Sequence, residues 1–176
     1  MNFIIFEGAI LDFGMSFSDI LLKMILPIVL TYLIAMFVGL ERQNVGKAAG
    51  LSSHVLVALG SVGIAIMQRF MFEYQVDSGL FTNAEGQRVI AQVVTGIGFV
   101  GAGAIIKDGT SSIRGITTAA TIWVTAMVGL ILGSGYIILG STIGIFMVVL
   151  MAARDISRGF NPFKSPKKQG KEKNDQ

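Results

Sequence analysis

"GITTAATIWVTAMVGLILGSGYIILGSTIGIFMVVLMAA", residues Gly115 to Ala153, runs for 39 positions without an Asp, Glu, Lys, Arg or His. A bilayer core of about 30 Å takes about 20 apolar residues as a helix, so this run can cross twice. Leu132-Gly133-Ser134-Gly135 divides it with a glycine-rich turn. The whole chain agrees: 52% of residues are apolar or aromatic, 14% are charged and the mean hydropathy is +0.68. A soluble domain carries about 25% charged residues. These features predict an all-α integral membrane protein.

Three more spans precede the run. The first is expected over Ile20 to Leu40, with Pro27 near its start, where proline is tolerated. The second covers Leu51 to Met67 and contains one titratable residue, His54. The third has an uncharged core from Val89 to Ile106, and Thr82-x-x-Glu85 resembles a capping box ahead of it. The expected architecture is about five transmembrane helices over residues 20–156. Residues 1–19 form an N-terminal segment whose Phe3, Phe6, Ile10, Phe13 and Phe17 have helix-like spacing. That segment reads as an interfacial helix or as a frayed apolar terminus. Residues 157–176 form a basic tail, polar enough to be disordered.

The positive-inside rule sets the orientation. With the N-terminus outside and the C-terminus inside, eleven Lys and Arg residues fall inside: Arg42, Lys47, Lys107, Arg114, Arg154, Arg158 and five tail lysines. Lys23, Arg69 and Arg88 fall outside. The pI near 9.3 therefore reflects topology, and no nucleic-acid partner is expected. The first basic residue is Lys23, so no signal peptide is expected either. With no cysteine and a single histidine, thiol chemistry and most conventional catalytic triads are excluded, and no enzyme activity is expected.

Gly96-x-Gly98-x-x-Gly101 spells a dinucleotide-binding loop, but the fold of that loop needs a strand before it and an acid about 20 positions later. No acid lies near Thr121. Instead Ala91, Thr95, Gly98 and Ala102, with Gly96, Gly101 and Gly103 beside them, predict a face of small side chains for close helix packing. Ala35-x-x-x-Gly39, Gly129-x-x-x-Gly133 and Gly140-x-x-x-Gly144 offer similar Gly/Ala/Ser/Thr faces.

The few polar residues gather at one level. Glu41 and Arg42 end the first span, and His54 lies about one turn into the second. Lys107 and Asp108 end the third, and Arg114 opens the fourth, followed by Thr117, Thr118, Thr121 and Thr125. One reading is a set of boundary charges holding helix ends at the headgroups, with Arg42 and Arg114 neutralising Glu41 and Asp108. The other is a site for a hydrated divalent cation or a phosphate-like group. Magnesium keeps several waters and needs only one or two carboxylates, which Glu41 and Asp108 can supply, although two nearby arginines weaken such binding. No Asp, Glu, Lys or Arg lies at the middle of a predicted span, which disfavours an ion-coupled pump acting alone.

"GLERQNVGKAAGLSSHVLVALGS" (39–61), "RVIAQVVTGIGFVGAGAIIKDG" (88–109) and "RGITTAATIWVTAMVGLILGSG" (114–135) resemble, in order and spacing, the membrane domain of the MgtC/SapB family. The resemblance implies a multi-pass protein of the bacterial inner membrane. It implies a link to growth at low magnesium, and to survival in host phagocytes for the virulence-associated members. The matching positions include Glu41, Arg42, Gly50, His54, Gly96, Gly98, Gly101, Gly103, Asp108, Arg114, Thr117 and Thr118. Many members read Arg-Thr before the histidine, where this chain has Ser52 and Ser53. Virulence members often add a soluble C-terminal domain, and none is expected in this chain.

Two functions are weighed. The first is magnesium homeostasis, as a regulator of membrane partners or as a low-turnover cation pathway. The second is a purely structural or regulatory packing partner of other membrane proteins, such as ATP synthase, without transport. No cofactor is expected, and Mg2+ enters only as ligand or substrate. The lipid bilayer is the expected environment, with a homodimer or another membrane protein as candidate partners.

Overall fold

The computed structural model describes residues 15–77, 79, 86–107, 113–157 and 159. Five helices make up nearly all of it. Helix α1 spans Phe17–Asn44, α2 Leu51–Asp77, α3 Gly86–Gly103, α4 Ile116–Gly133 and α5 Ile137–Ser157. Four of them, α1, α2, α4 and α5, are each long and apolar enough to cross a membrane. The fifth, α3, is apolar over the shorter stretch Arg88–Gly103. Residues 1–14 of the N-terminal segment, the capping-box positions Thr82 and Glu85, Asp108 and the tail from 160 lie outside the described residues.

Local chemistry sets the helix ends. In α1, Leu21–Ile25 is a π-helical turn just ahead of Pro27. Proline has no N–H, so the carbonyl of Lys23, four residues earlier, loses its helical donor. The guanidinium of Arg69 on α2 donates to that carbonyl instead. At the α4–α5 turn, Gly135 has φ +96°, a conformation that suits glycine. Tyr136 N–H bonds to Ile131 O at 3.2 Å and Gly135 N–H to Leu132 O at 3.0 Å. This is the Schellman pattern that satisfies the last carbonyls of a helix. α1 closes in the same way, through Lys47 N–H to Arg42 O and Gly46 N–H to Gln43 O.

The third span differs from expectation. It starts at Gly86 and leaves the helix after Gly103, where the sequence reading carried it to Ile106. The chain then forms a short antiparallel pair, β1 (Ile106–Lys107) with β2 (Ile113–Arg114), in the register Ile106 to Arg114 and Lys107 to Ile113. Gly115 permits this path. Its φ is +92°, and a Cβ there would collide with the carbonyl of Ala104.

α4 lies at the centre and packs against α1, α2, α3 and α5. The expected glycine faces make these contacts. A Cβ on Gly129 would sit 2.8 Å from Ala58 O, and one on Gly133 would sit 2.6 Å from Val62 O and 2.7 Å from Ala65 Cβ. Gly140 faces the Leu132 side chain, and Gly144 faces that of Ile34. On α3 the outcome is reversed. Ala91, Thr95, Gly98 and Ala102 point away from the other described residues, and a Cβ on Gly96, Gly98 or Gly103 would meet none of them within 4 Å. The side facing the bundle is Val93, Ile97 and Gly101 instead; Ile97 joins Ala49, Ile122 and Ala126 in a buried cluster. A branched side chain fills this interface, and the neighbouring small-residue stripe is turned outward by the helical period.

Candidate functional site

The polar residues at the end of α1 are not at a surface. Glu41 and Arg42 in its last turns are fully buried, and Asp155 in the last turn of α5 is 1% exposed. The Arg42 fork donates through Nε and Nη2 to the two carboxylate oxygens of Glu41. Nη2 also donates to Asp155 Oδ2 at 3.3 Å. From the other side, Arg154 donates through Nε and Nη2 to Asp155 Oδ1 at 3.1 and 3.0 Å. Its Nη2 lies 3.8 Å from Glu41 Oε1. Two guanidiniums and two carboxylates thus alternate in a closed quartet of zero net charge, tying α1 to α5. Buried charges persist only when paired in this way. Arg42 Nη1 is buried and has no hydrogen-bond partner among the described residues.

His54, one turn into α2, is also fully buried. Its Nδ1 lies 2.8 Å from Gly50 O and its Nε2 lies 3.1 Å from Thr121 Oγ1 on α4. Thr121 Oγ1 is placed to donate to Thr118 O at 2.8 Å, and Thr125 Oγ1 donates to Thr121 O at 2.7 Å. The inward threonines are therefore Thr118, Thr121 and Thr125, all buried. Thr117, expected in the polar cluster, is exposed. The helix period allows either phase, and α4 is set by its glycines against α2.

Of the expected cluster, the structure brings Glu41, Arg42, His54 and Thr118 to the same end of the bundle. Arg114 does not join them: it lies exposed on β2. Its expected role beside Arg42 falls to Arg154, and the second carboxylate found in the cluster is Asp155. Asp108 lies outside the described residues. Both oxygens of Glu41 are engaged by Arg42. Among the described residues no group of three or more His, Asp or Glu is arranged to hold a metal ion. Asp155 was missed at the sequence level, yet it carried a signal. Gly140, Gly144, Met151 and Asp155 are the buried residues of α5, spaced by four, seven and four. The small-residue face, continued along the helical period, ends on that aspartate.

A second polar group lies at the opposite end. Arg69 stacks over the Phe70 ring at 5.2 Å and approaches Glu73 at 3.9 Å. Lys23 lies between Asp19 at 3.5 Å and Glu73 at 3.8 Å. These Lys23 pairs are about half exposed, so they add little stability. The bond from Arg69 to the Lys23 carbonyl is the structural one.

The sequence matches the MgtC family over residues 28–158. It is 42% identical over 118 residues to a protein of Escherichia coli (strain K12) named "Putative magnesium transporter YhiD", an alignment covering 67% of this chain and 54% of that protein. It is 36% identical over 121 residues to "Protein MgtC" of Brucella abortus (strain 2308), covering 69% of this chain and 47% of that protein. It is 35% identical over 130 residues to "Protein SrpB" of Synechococcus elongatus, covering 70% of this chain and 69% of that protein. The chain thus spans about half the length of YhiD and of MgtC. No solved structure matches it.

Proposed function

The chain belongs to the MgtC family, and on that premise we propose that it serves magnesium homeostasis in the bacterial inner membrane by regulating membrane partners, with the quartet, buried at Glu41, Arg42 and Asp155 and half-buried at Arg154, and His54 as its working site. The observation that carries this reading is the quartet itself. Ionised groups inside a membrane bundle are expensive and mark function more often than stability. The magnesium in the name of YhiD supplies the process. Regulation is favoured over a cation pathway because Glu41 and Asp155 already hold guanidiniums, and because α4 meets the α2 backbone closely at Gly129 and Gly133. A cation could use the two carboxylates only after the quartet opened.

The test is growth of a deletion strain at low magnesium, complemented by the full chain and its variants at matched membrane levels. Asp155→Asn removes one charge from the quartet and is expected to abolish rescue, while the exposed Arg114→Ala is expected to retain it. Magnesium flux into sealed proteoliposomes, read by an internal dye, separates the two modes: no flux from folded, inserted protein accords with regulation. Full rescue by folded Asp155→Asn would remove the quartet from the function.

The second reading, a packing partner that works without the quartet, draws on the outward stripe of α3. Ala91, Thr95, Gly98 and Ala102 leave room there for another helix to approach closely. A second copy of the chain and a different membrane protein are both candidates for that place.

A further inference from the structure

His54 is the single histidine of the chain, and both of its ring nitrogens have fixed neighbours. Gly50 O can only accept a hydrogen bond, so Nδ1, 2.8 Å away, carries a proton. Nε2 faces Thr121 Oγ1 at 3.1 Å, and the same oxygen lies 2.8 Å from Thr118 O. A hydroxyl has one proton to give. If that proton points at Thr118 O, Nε2 must itself be N–H and the ring is an imidazolium. If the ring is neutral, the hydroxyl turns and donates to the bare Nε2. Thr118 O lies within a continuous helix and keeps its main-chain donor four residues on, so turning the hydroxyl leaves no carbonyl orphaned. Both arrangements satisfy every group, and they differ by one bound proton.

We infer that His54 is a proton-binding site whose occupancy sets the direction of the Thr121 hydroxyl and acts, through its charge, on the quartet that ties α1 to α5. The inference rests on the functional reading above only in treating the quartet as the working site. Among the described residues the ionisable groups around His54 are few. α1 contributes Glu41 and Arg42, which lie within electrostatic range of the ring. α5 contributes Asp155 and Arg154, bound to that pair. α4 contains no ionisable residue, and the one in α3, Arg88, sits in its first turn, with Gly103 at the other end. The quartet sums to zero, so a proton on His54 changes the buried cluster from neutral to a single positive charge. That charge repels Arg42 where water cannot screen it. Protonation therefore loosens the hold of Arg42 on Glu41 and Asp155.

Because the chain has one histidine, labelling histidine with 15N in the full protein, reconstituted in lipid nanodiscs, gives a single pair of side-chain resonances. Between about pH 8 and pH 5, the expected result is a neutral ring protonated at Nδ1 that converts to the doubly protonated form in one step. Thr121→Ser, which keeps the hydroxyl, retains that behaviour. The chain has no cysteine, so spin labels introduced by Leu40→Cys and Ile156→Cys report the α1–α5 distance alone. That distance is expected to lengthen or broaden over the same pH interval, and His54→Gln should abolish the change. A neutral ring protonated at Nε2, or one that keeps a single state throughout, overturns the proton site. Titration with an unchanged label distance overturns the coupling to the quartet. Titration with the distance change, in a protein whose Asp155→Asn variant still rescues growth, supports the proton site and counts against the functional reading instead.

Discussion

Helices α3 and α4 are each 18 residues long and both contain glycines, yet those glycines do opposite things. On α4, Gly129 and Gly133 press against the backbone of α2, so closely that any side chain there would overlap it. On α3, Gly96, Gly98 and Gly103 face open space, and a branched residue, Ile97, makes the contact with the bundle. The residue type permits close approach in both helices, but only a facing helix uses it. In lipid, where apolar surface gains little from burial against other apolar surface, packing comes from shape. The central helix has neighbours to fit on several sides; the peripheral one turns most of its small residues away from the described bundle.

The sharpest way to break this contrast is Gly133→Leu. The added side chain would have to displace Val62 O and Ala65 of α2. The expected loss is about 3 kcal/mol or more, seen as collapse of the monodisperse fraction in detergent and of the thermal midpoint. Gly115→Ala comes next, because a positive φ and the Ala104 carbonyl both oppose a Cβ. About 1–3 kcal/mol of backbone strain is expected, and the same thermal assay measures it. Gly98→Leu should be the mildest, within about 0.5 kcal/mol of the parent in that assay, as for a substitution at an open surface. If Gly98→Leu keeps this stability but loses rescue at low magnesium, the outward face of α3 binds a partner. If it destabilises the isolated chain, the contrast between the two helices fails.

The parts legible in the sequence were those carried by composition and short range. An uncharged run of 39 residues can only be read as two spans, and its division at Gly135 matches the turn between α4 and α5. Glu41, Arg42 and His54 stood out because polar groups beside apolar spans are scarce, and all three proved buried. Asp155 escaped notice because its partner, Arg42, is 113 positions away. It looked like one more charge at a helix end, next to Arg154, which had been counted only for topology. Thr117 and Thr118 show a finer limit, since adjacent positions lie 100° apart on a helix and spacing alone fits more than one inward phase.

The sequence by itself determined that the chain is helical and membrane-embedded, because hydropathy and helical period are properties of consecutive residues. It also determined the turn between α4 and α5, because Gly135 acts through its own backbone geometry. Only the tertiary structure decided which face of each helix turns inward, that Arg42 is shared between Glu41 and Asp155, and that Arg69 supplies the donor Pro27 withholds. Those outcomes depend on the rotation and depth of one helix against another. Contacts among side chains far apart in the chain set both.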